Sequence, residues 1–119
     1  MIKSIVPVVP VSTIEPTVEL LAKVGFTQNW VHDPNGGGLR YASISNQSGH
    51  ELHLSESRGD GVGPVVVYFW TDSIDSLADL AGTTAQDQTW QTREFWLRDP
   101  DGNTFRFGQR LREMNKTST

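Results

Sequence analysis

The second half of this chain repeats the first in worn form, and a repeat of that length leaves few folds open. The clearest overlap is a hairpin. Phe95 to Phe107 follows Ala42 to Leu54 at a shift of 53 residues, laying Gly49 on Gly102, Leu52 on Phe105, His53 on Arg106 and Leu54 on Phe107. Farther upstream the shift is 60, which lays Ile14 on Ile74, Glu15 on Asp75 and Leu20 on Leu80. A unit this short cannot bury its apolar face alone, so two must pair. The repeat predicts a cleft between paired units, and the side chains lining it decide the function.

Each copy reads as strand, helix and three further strands. Ile2 to Val11 is an apolar, β-branched run whose Pro7 and Pro10 suit an edge or a strand with broken pairing. Ser12 or Thr13 offers an N-cap, Ile14, Val18, Leu21 and Val24 recur at helical spacing, and Gly25 stops the helix. Strands are predicted near Phe26–His32, Leu39–Ser45 and His50–Ser55, the first ended by the turn-rich run from Asp33 to Gly38. A Gly-rich linker, Ser57 to Pro64, separates the copies. Val65 to Thr71 then opens the second, Asp72 or Ser73 offers a cap, and Ile74, Leu77, Ala78, Leu80 and Ala81 form an apolar stripe closed by Gly82, a helix shorter than the first by about a turn. A weak strand at Thr83–Asp87 and stronger ones near Arg93–Arg98 and Asn103–Gln109 complete it. Between the last two, Asp99-Pro100-Asp101-Gly102 is a strong turn signal. The modules span about 2–56 and 65–109 of one domain, and 110–119 read as a polar tail.

Composition narrows the partners. Ten Lys and Arg against fourteen Asp and Glu give a net charge of −4, which disfavours nucleic acid and anionic membranes and is compatible with a cationic ligand. The same charge also serves simple solubility. With no Cys there is no thiolate metal site or thiol nucleophile. No signal peptide or long apolar stretch stands out, so a cytoplasmic location is expected. Arg58-Gly59-Asp60 reads as a loop rather than an adhesion signal. The formal glycosylation acceptors at Asn46 and Asn115 have no secretory context.

The order and spacing of these segments resemble the vicinal-oxygen-chelate superfamily of glyoxalases, dioxygenases and bleomycin-resistance proteins, the last most of all. The resemblance is carried by Val9-Pro10-Val11, Leu20 to Phe26, Glu51 to Glu56, and Trp90 to Phe95 leading into Arg98 to Phe107. It covers Ile2 through Gln109. It implies an α+β fold of two βαβββ modules, a U-shaped cleft and a domain-swapped homodimer.

Enzymes of that superfamily take metal ligands from the first, fourth, fifth and eighth strands. The internal repeat identifies those positions here as Val6, His53, Val66 and Arg106. Val cannot ligate, Arg is a fixed cation, and one imidazole is not a metal site. The resemblance therefore implies a binding protein without metal, cofactor or catalytic residue. Glu51 and His53, two apart on one strand, share a face and leave open an atypical metal site, which His32 could join. His53 is otherwise a pocket wall or a half-buried, satisfied histidine.

Alternation fills in the rest. If Val66 faces the cleft, so do Tyr68 and Trp70, while Val65, Val67 and Phe69 pack on the helix. Arg106 brings Thr104 with it and leaves Phe105 and Phe107 to the core. Trp96 shares a face with Glu94, and Trp90 falls in the loop where the resemblance implies a ligand-stacking Trp. The face of Trp30 is undetermined. Each Trp either stacks on a ligand or is buried in a dimer interface. The expected ligand set is Trp30, Glu51, His53, Tyr68, Trp70, Trp90, Trp96 and Arg106. The expected function is sequestration of an aromatic or cationic natural product; a metal-dependent lyase, isomerase or dioxygenase built on His53 and Glu51 is the alternative.

Overall fold

The computed structural model describes residues 1–34 and 36–117. Asn35 of the turn-rich run, tail residues 118–119 and the side chains of 115–117 lie outside the described residues. The chain divides into two compact units, one of Met1–Val65 with Asp99–Asn103, the other of Val66–Arg98 with the chain from Thr104 onward.

The first unit runs β1 (Val8–Pro10), α1 (Glu15–Ala22), β2 (Thr27–His32), β3 (Tyr41–Ser45) and β4 (Glu51–Ser55). Its sheet has the order β1-β4-β3-β2, with β1 parallel to β4 and the other pairings antiparallel. The second unit repeats this as β5 (Val66–Trp70), α2 (Ile74–Ala81), β6 (Gln86–Asp87), β7 (Thr92–Arg98) and β8 (Thr104–Arg110), in the order β5-β8-β7-β6. Two βαβββ modules, α+β in class, are thus present as expected. The weak sixth strand has shrunk to two residues.

Alternation builds both cores. Val9, Ile14, Leu21, Ala42, Ile44, Leu52 and Leu54 are buried in the first unit. In the second, Phe107 stacks between Phe69, centroid at 4.5 Å, and Phe95 at 4.8 Å, with Ile74, Ala78 and Phe105 buried beside them. Complete burial of a side chain as large as Phe contributes about 2–3 kcal/mol.

Helix starts differ from expectation. Neither Ser12 nor Thr13 caps α1, and the side chain of Ser73 makes no cap bond in α2. Each helix is held from the end of the fourth strand of its unit or from just past it. Ile14 N–H donates to Glu56 Oε2 at 3.0 Å, and Ile74 N–H to Gln109 Oε1 at 3.1 Å. An arginine of the neighbouring strand region grips the first turn: Arg40 reaches both oxygens of Glu15, and Arg93 reaches Asp75 Oδ2 at 2.8 Å. A carboxylate at a helix start answers the unpaired N–H groups and the positive end of the dipole. The Arg40 guanidinium, together with a backbone bond, holds the Glu15 carboxyl below its ordinary range. The two helices are equal at eight residues, not a turn apart. Gly82 ends α2 with a left-handed φ of 76°, a conformation cheap only for glycine.

Two more expectations are revised. Arg58–Asp60 is a 3-10 turn inside the linker. The polar tail carries a helix, α3 (Leu111–Thr117), because Leu, Arg, Glu, Met and Lys are strong helix formers and Gln91 O accepts the Leu111 N–H at 3.1 Å. Among the described residues no helix is long and apolar enough to cross a membrane.

Candidate functional site

The second unit gathers five of the eight expected residues around a side chain outside that set, Glu94. Strand β7 aims its carboxylate to the side that Trp96 shares, and it is 2% exposed. Oε2 accepts from Tyr68 Oη at 2.7 Å, Thr92 Oγ1 at 2.8 Å and Trp90 Nε1 at 2.9 Å. Oε1 accepts from Trp96 Nε1 and Arg106 Nη2, both at 2.9 Å, and from Arg106 Nε at 3.3 Å. Burial alone would push this carboxyl up. The hydrogen bonds from Trp90, Tyr68, Arg106 and Trp96 outweigh it and bring the pKa down to about 2. Tyr68, half-buried and donating to an anion, is pushed up to about 12.

Two local devices make this possible. Gln91 holds a left-handed φ of 70°, rare outside glycine, between Trp90 and the start of β7. Gly108 lies opposite Glu94 in the β7–β8 ladder, where a Cβ would fall on the Tyr68 hydroxyl. Only glycine lets Tyr68 pass over β8 to reach the carboxylate.

The rings keep their faces open. Trp70, Trp90 and Trp96 are 55%, 51% and 48% exposed although their neighbours hold them fixed. The Arg106 guanidinium lies 5.0 Å from the centroids of both Tyr68 and Trp96 and 5.8 Å from Trp90. Trp70 packs on Tyr68 at 4.9 Å and carries Arg110 over its ring at 4.1 Å. Alternation along β5 thus placed Tyr68 and Trp70 correctly relative to each other.

The remaining three expected residues, Trp30, Glu51 and His53, meet in the first unit. Trp30 stacks on Tyr41, centroids 6.1 Å apart at 15°, and meets the His53 ring edge-on at 5.5 Å. Tyr41 Oη lies 2.9 Å from His53 Nδ1, and His53 Nε2 lies 2.9 Å from Glu51 Oε2. Ser43 Oγ donates to the same oxygen at 2.5 Å. The bonds from Ser43 and then His53 hold the Glu51 carboxyl below its ordinary range, while burial raises Tyr41. A bulge between Gln28 and Trp30 breaks the alternation of β2, which is why sequence periodicity could not orient Trp30.

Two positions need correction. Val6 precedes β1, and the residue across from His53 is Val8. Its counterpart across from Arg106 is Tyr68, not Val66, so the shift of 60 holds two residues farther along. Among the described residues no group of three or more His, Asp or Glu could hold a metal ion. Both ring nitrogens of His53 already face Tyr41 and Glu51, so the donor set does not fit the three- or four-ligand centre that the alternative reading requires. A cavity of about 350 Å³ in the first unit, bordered by Ser12, Glu56, Arg58 and Asp101, includes none of the eight residues.

No family model and no curated protein matches the sequence. Solved structures do match the fold. A bleomycin-binding protein complexed with bleomycin superposes with a TM-score of 0.68 at 14% identity, covering 91% of this chain and 98% of that one. A bleomycin resistance determinant encoded on transposon Tn5 gives 0.69 at 15% identity, with coverage of 92% and 98%. A glyoxalase-related enzyme from Clostridium phytofermentans gives 0.72 at 18%, with coverage of 92% and 96%. The chain shares the fold of these bleomycin-binding and glyoxalase-related structures, the fold that the sequence resemblance implied.

Proposed function

We propose that this chain is a binding protein that sequesters a planar aromatic natural product, such as an antibiotic, without covalent chemistry. One observation carries the reading: Trp70, Trp90 and Trp96 are about half exposed, yet Trp90 and Trp96 are pinned to one buried carboxylate. Rigid, half-bare rings lose little entropy on stacking and bury a large apolar area when covered. The bleomycin-binding structure of the same fold supports a small-molecule partner. The working form in this reading is a cytoplasmic homodimer with two sites, and light scattering should then give close to twice the 13.2 kDa chain mass.

Titration with planar aromatic antibiotics is expected to quench Trp fluorescence saturably. Trp96→Ala should weaken that binding roughly 10- to 100-fold, the value of one lost stacking partner. Absence of quenching by any planar compound would count decisively against sequestration.

A metal-dependent enzyme is the second reading. The glyoxalase-related neighbour and the adjacency of Glu51 and His53 favour it. Protein purified without chelator should contain less than a stoichiometric divalent ion; one ion per chain, lost in His53→Ala, would reverse the order of the two readings.

A further inference from the structure

Charge at the aromatic cluster of the second unit narrows the ligand, on the premise that this cluster binds a planar molecule. Glu94, the carboxylate at its centre, accepts from five side chains through both oxygens and is sealed from solvent. A carboxylate has about four lone-pair sites, so no capacity remains for a ligand ammonium. The cation–π positions are also taken. Arg106 serves the rings of Tyr68, Trp96 and Trp90, and Arg110 serves Trp70. Any further cation stacking here would lie beside two fixed guanidinium groups. The outer of these, Arg110, pairs with Glu113 at 3.4 Å, and that carboxylate is about half exposed.

The donor side has the opposite character. The indole N–H groups of Trp90 and Trp96 and the Tyr68 hydroxyl are all spent on Glu94. Arg106 spends Nε and Nη2 there too, but its Nη1 has no protein acceptor among the described residues, and the side chain is 27% exposed. Arg106 Nη1 is therefore a charged donor still open to a ligand, set among open ring faces. A guanidinium presents such an edge to a carboxylate or a carbonyl, and the carboxylate adds the attraction of opposite charges and a bidentate fit.

We propose that the site selects planar aromatic molecules carrying a hydrogen-bond acceptor, a carboxylate above all, seated against Arg106, and discriminates against cationic ones. The net charge of −4 over the whole chain misleads here, because it is not the charge of this surface.

Three probes that share one ring system test this: 2-naphthoate, 2-naphthamide and 2-naphthylmethylammonium, titrated against the full chain at pH 7 and followed by Trp quenching and calorimetry. The expected order is naphthoate, then naphthamide, then the ammonium, with roughly tenfold between the ends, shrinking as salt rises. The double variant Glu94→Gln/Arg106→Gln removes the ion pair without leaving a lone buried charge. It should bring the naphthoate-to-naphthamide ratio close to one. Equal binding of all three probes, or tightest binding of the ammonium, overturns the selectivity while leaving aromatic sequestration standing. Failure of all three to bind overturns both. A naphthoate preference that survives in the double variant removes Arg106 from its role.

Discussion

Glu94→Gln is expected to cost about 3 kcal/mol of stability at neutral pH, large for a single substitution that preserves shape. Removing one partner of a buried ion pair typically costs about 3–5 kcal/mol, because the other charge is left without compensation. Glutamine keeps one acceptor oxygen, but its amide must point N–H groups at side chains that are themselves donors. The pH dependence supplies a second signature. The carboxyl has a folded pKa near 2 against an ordinary 4.5, so it is depressed by folding. Its contribution is complete above about pH 4.5 and is lost as pH falls towards 2. Urea unfolding at pH 7, 5 and 3 should show the natural protein losing its advantage over Glu94→Gln on acidification. Glu15, Glu51 and Glu56 are also held below their ordinary range, but they titrate in both proteins and cancel in the difference. Equal urea midpoints for the two proteins at pH 7 would refute the account of Glu94 as the organising charge.

The repeat made the architecture legible because duplication shows itself as a constant offset, whatever the residues are. Alternation then put Tyr68 with Trp70 and Glu94 with Trp96, since strand geometry leaves a side chain two choices of face. What remained hidden depends on chain segments meeting from far apart. Glu94 draws its donors from β5, β8, its own strand and the loop before it, and no window of sequence contains all four. Trp30 stayed unoriented for a different reason, since a bulge is invisible to a period of two.

Some of the hidden part did leave a trace. The offset of 53 that joins His53 to Arg106 also joins Arg40 to Arg93 and Glu56 to Gln109, and the offset of 60 joins Glu15 to Asp75. Those are the residues that anchor α1 and α2. Polar residues kept at equivalent places in both copies were a signal for paired structural roles. The same comparison shows divergence at the site. Tyr41 and His53 of the first unit correspond to Glu94 and Arg106 of the second, so one scaffold position holds a hydrogen-bonded Tyr–His pair in one copy and an ion pair in the other.

Asn103→Asp is expected to destabilise the protein by about 3–4 kcal/mol at pH 7, at least as much as Asn103→Ala, although Asp copies the shape of Asn. The turn Asp99–Asn103 announces itself in sequence only as a place where the chain reverses, but Asn103 is fully buried and fully used. Its Nδ2 donates to Pro10 O at 2.8 Å and to Asp99 Oδ2 at 2.9 Å, while Oδ1 accepts the Val65 N–H at 2.9 Å. Alanine abandons all three, and each buried group left unpaired costs about 1–3 kcal/mol. The Asp substitution keeps the bond from Val65 but turns a donor into an acceptor facing two acceptors. It also sets a second carboxylate within hydrogen-bond distance of Asp99. The charged form of the new carboxyl is thereby disfavoured, so its folded pKa lies above the unfolded value. Its penalty is greatest above that raised pKa and is relieved as pH falls and the group gains a proton, which can be donated to Pro10 O or Asp99. Relative to the natural protein, Asn103→Asp should therefore recover between pH 7 and 4, whereas the Asn103→Ala deficit should stay nearly constant. Glu94→Gln gains on the natural protein only at lower pH, as the natural carboxyl takes up its proton. Thermal unfolding of the two Asn103 variants across that range decides the matter: parallel pH profiles would mean that the amide hydrogens of Asn103 contribute nothing to holding the turn.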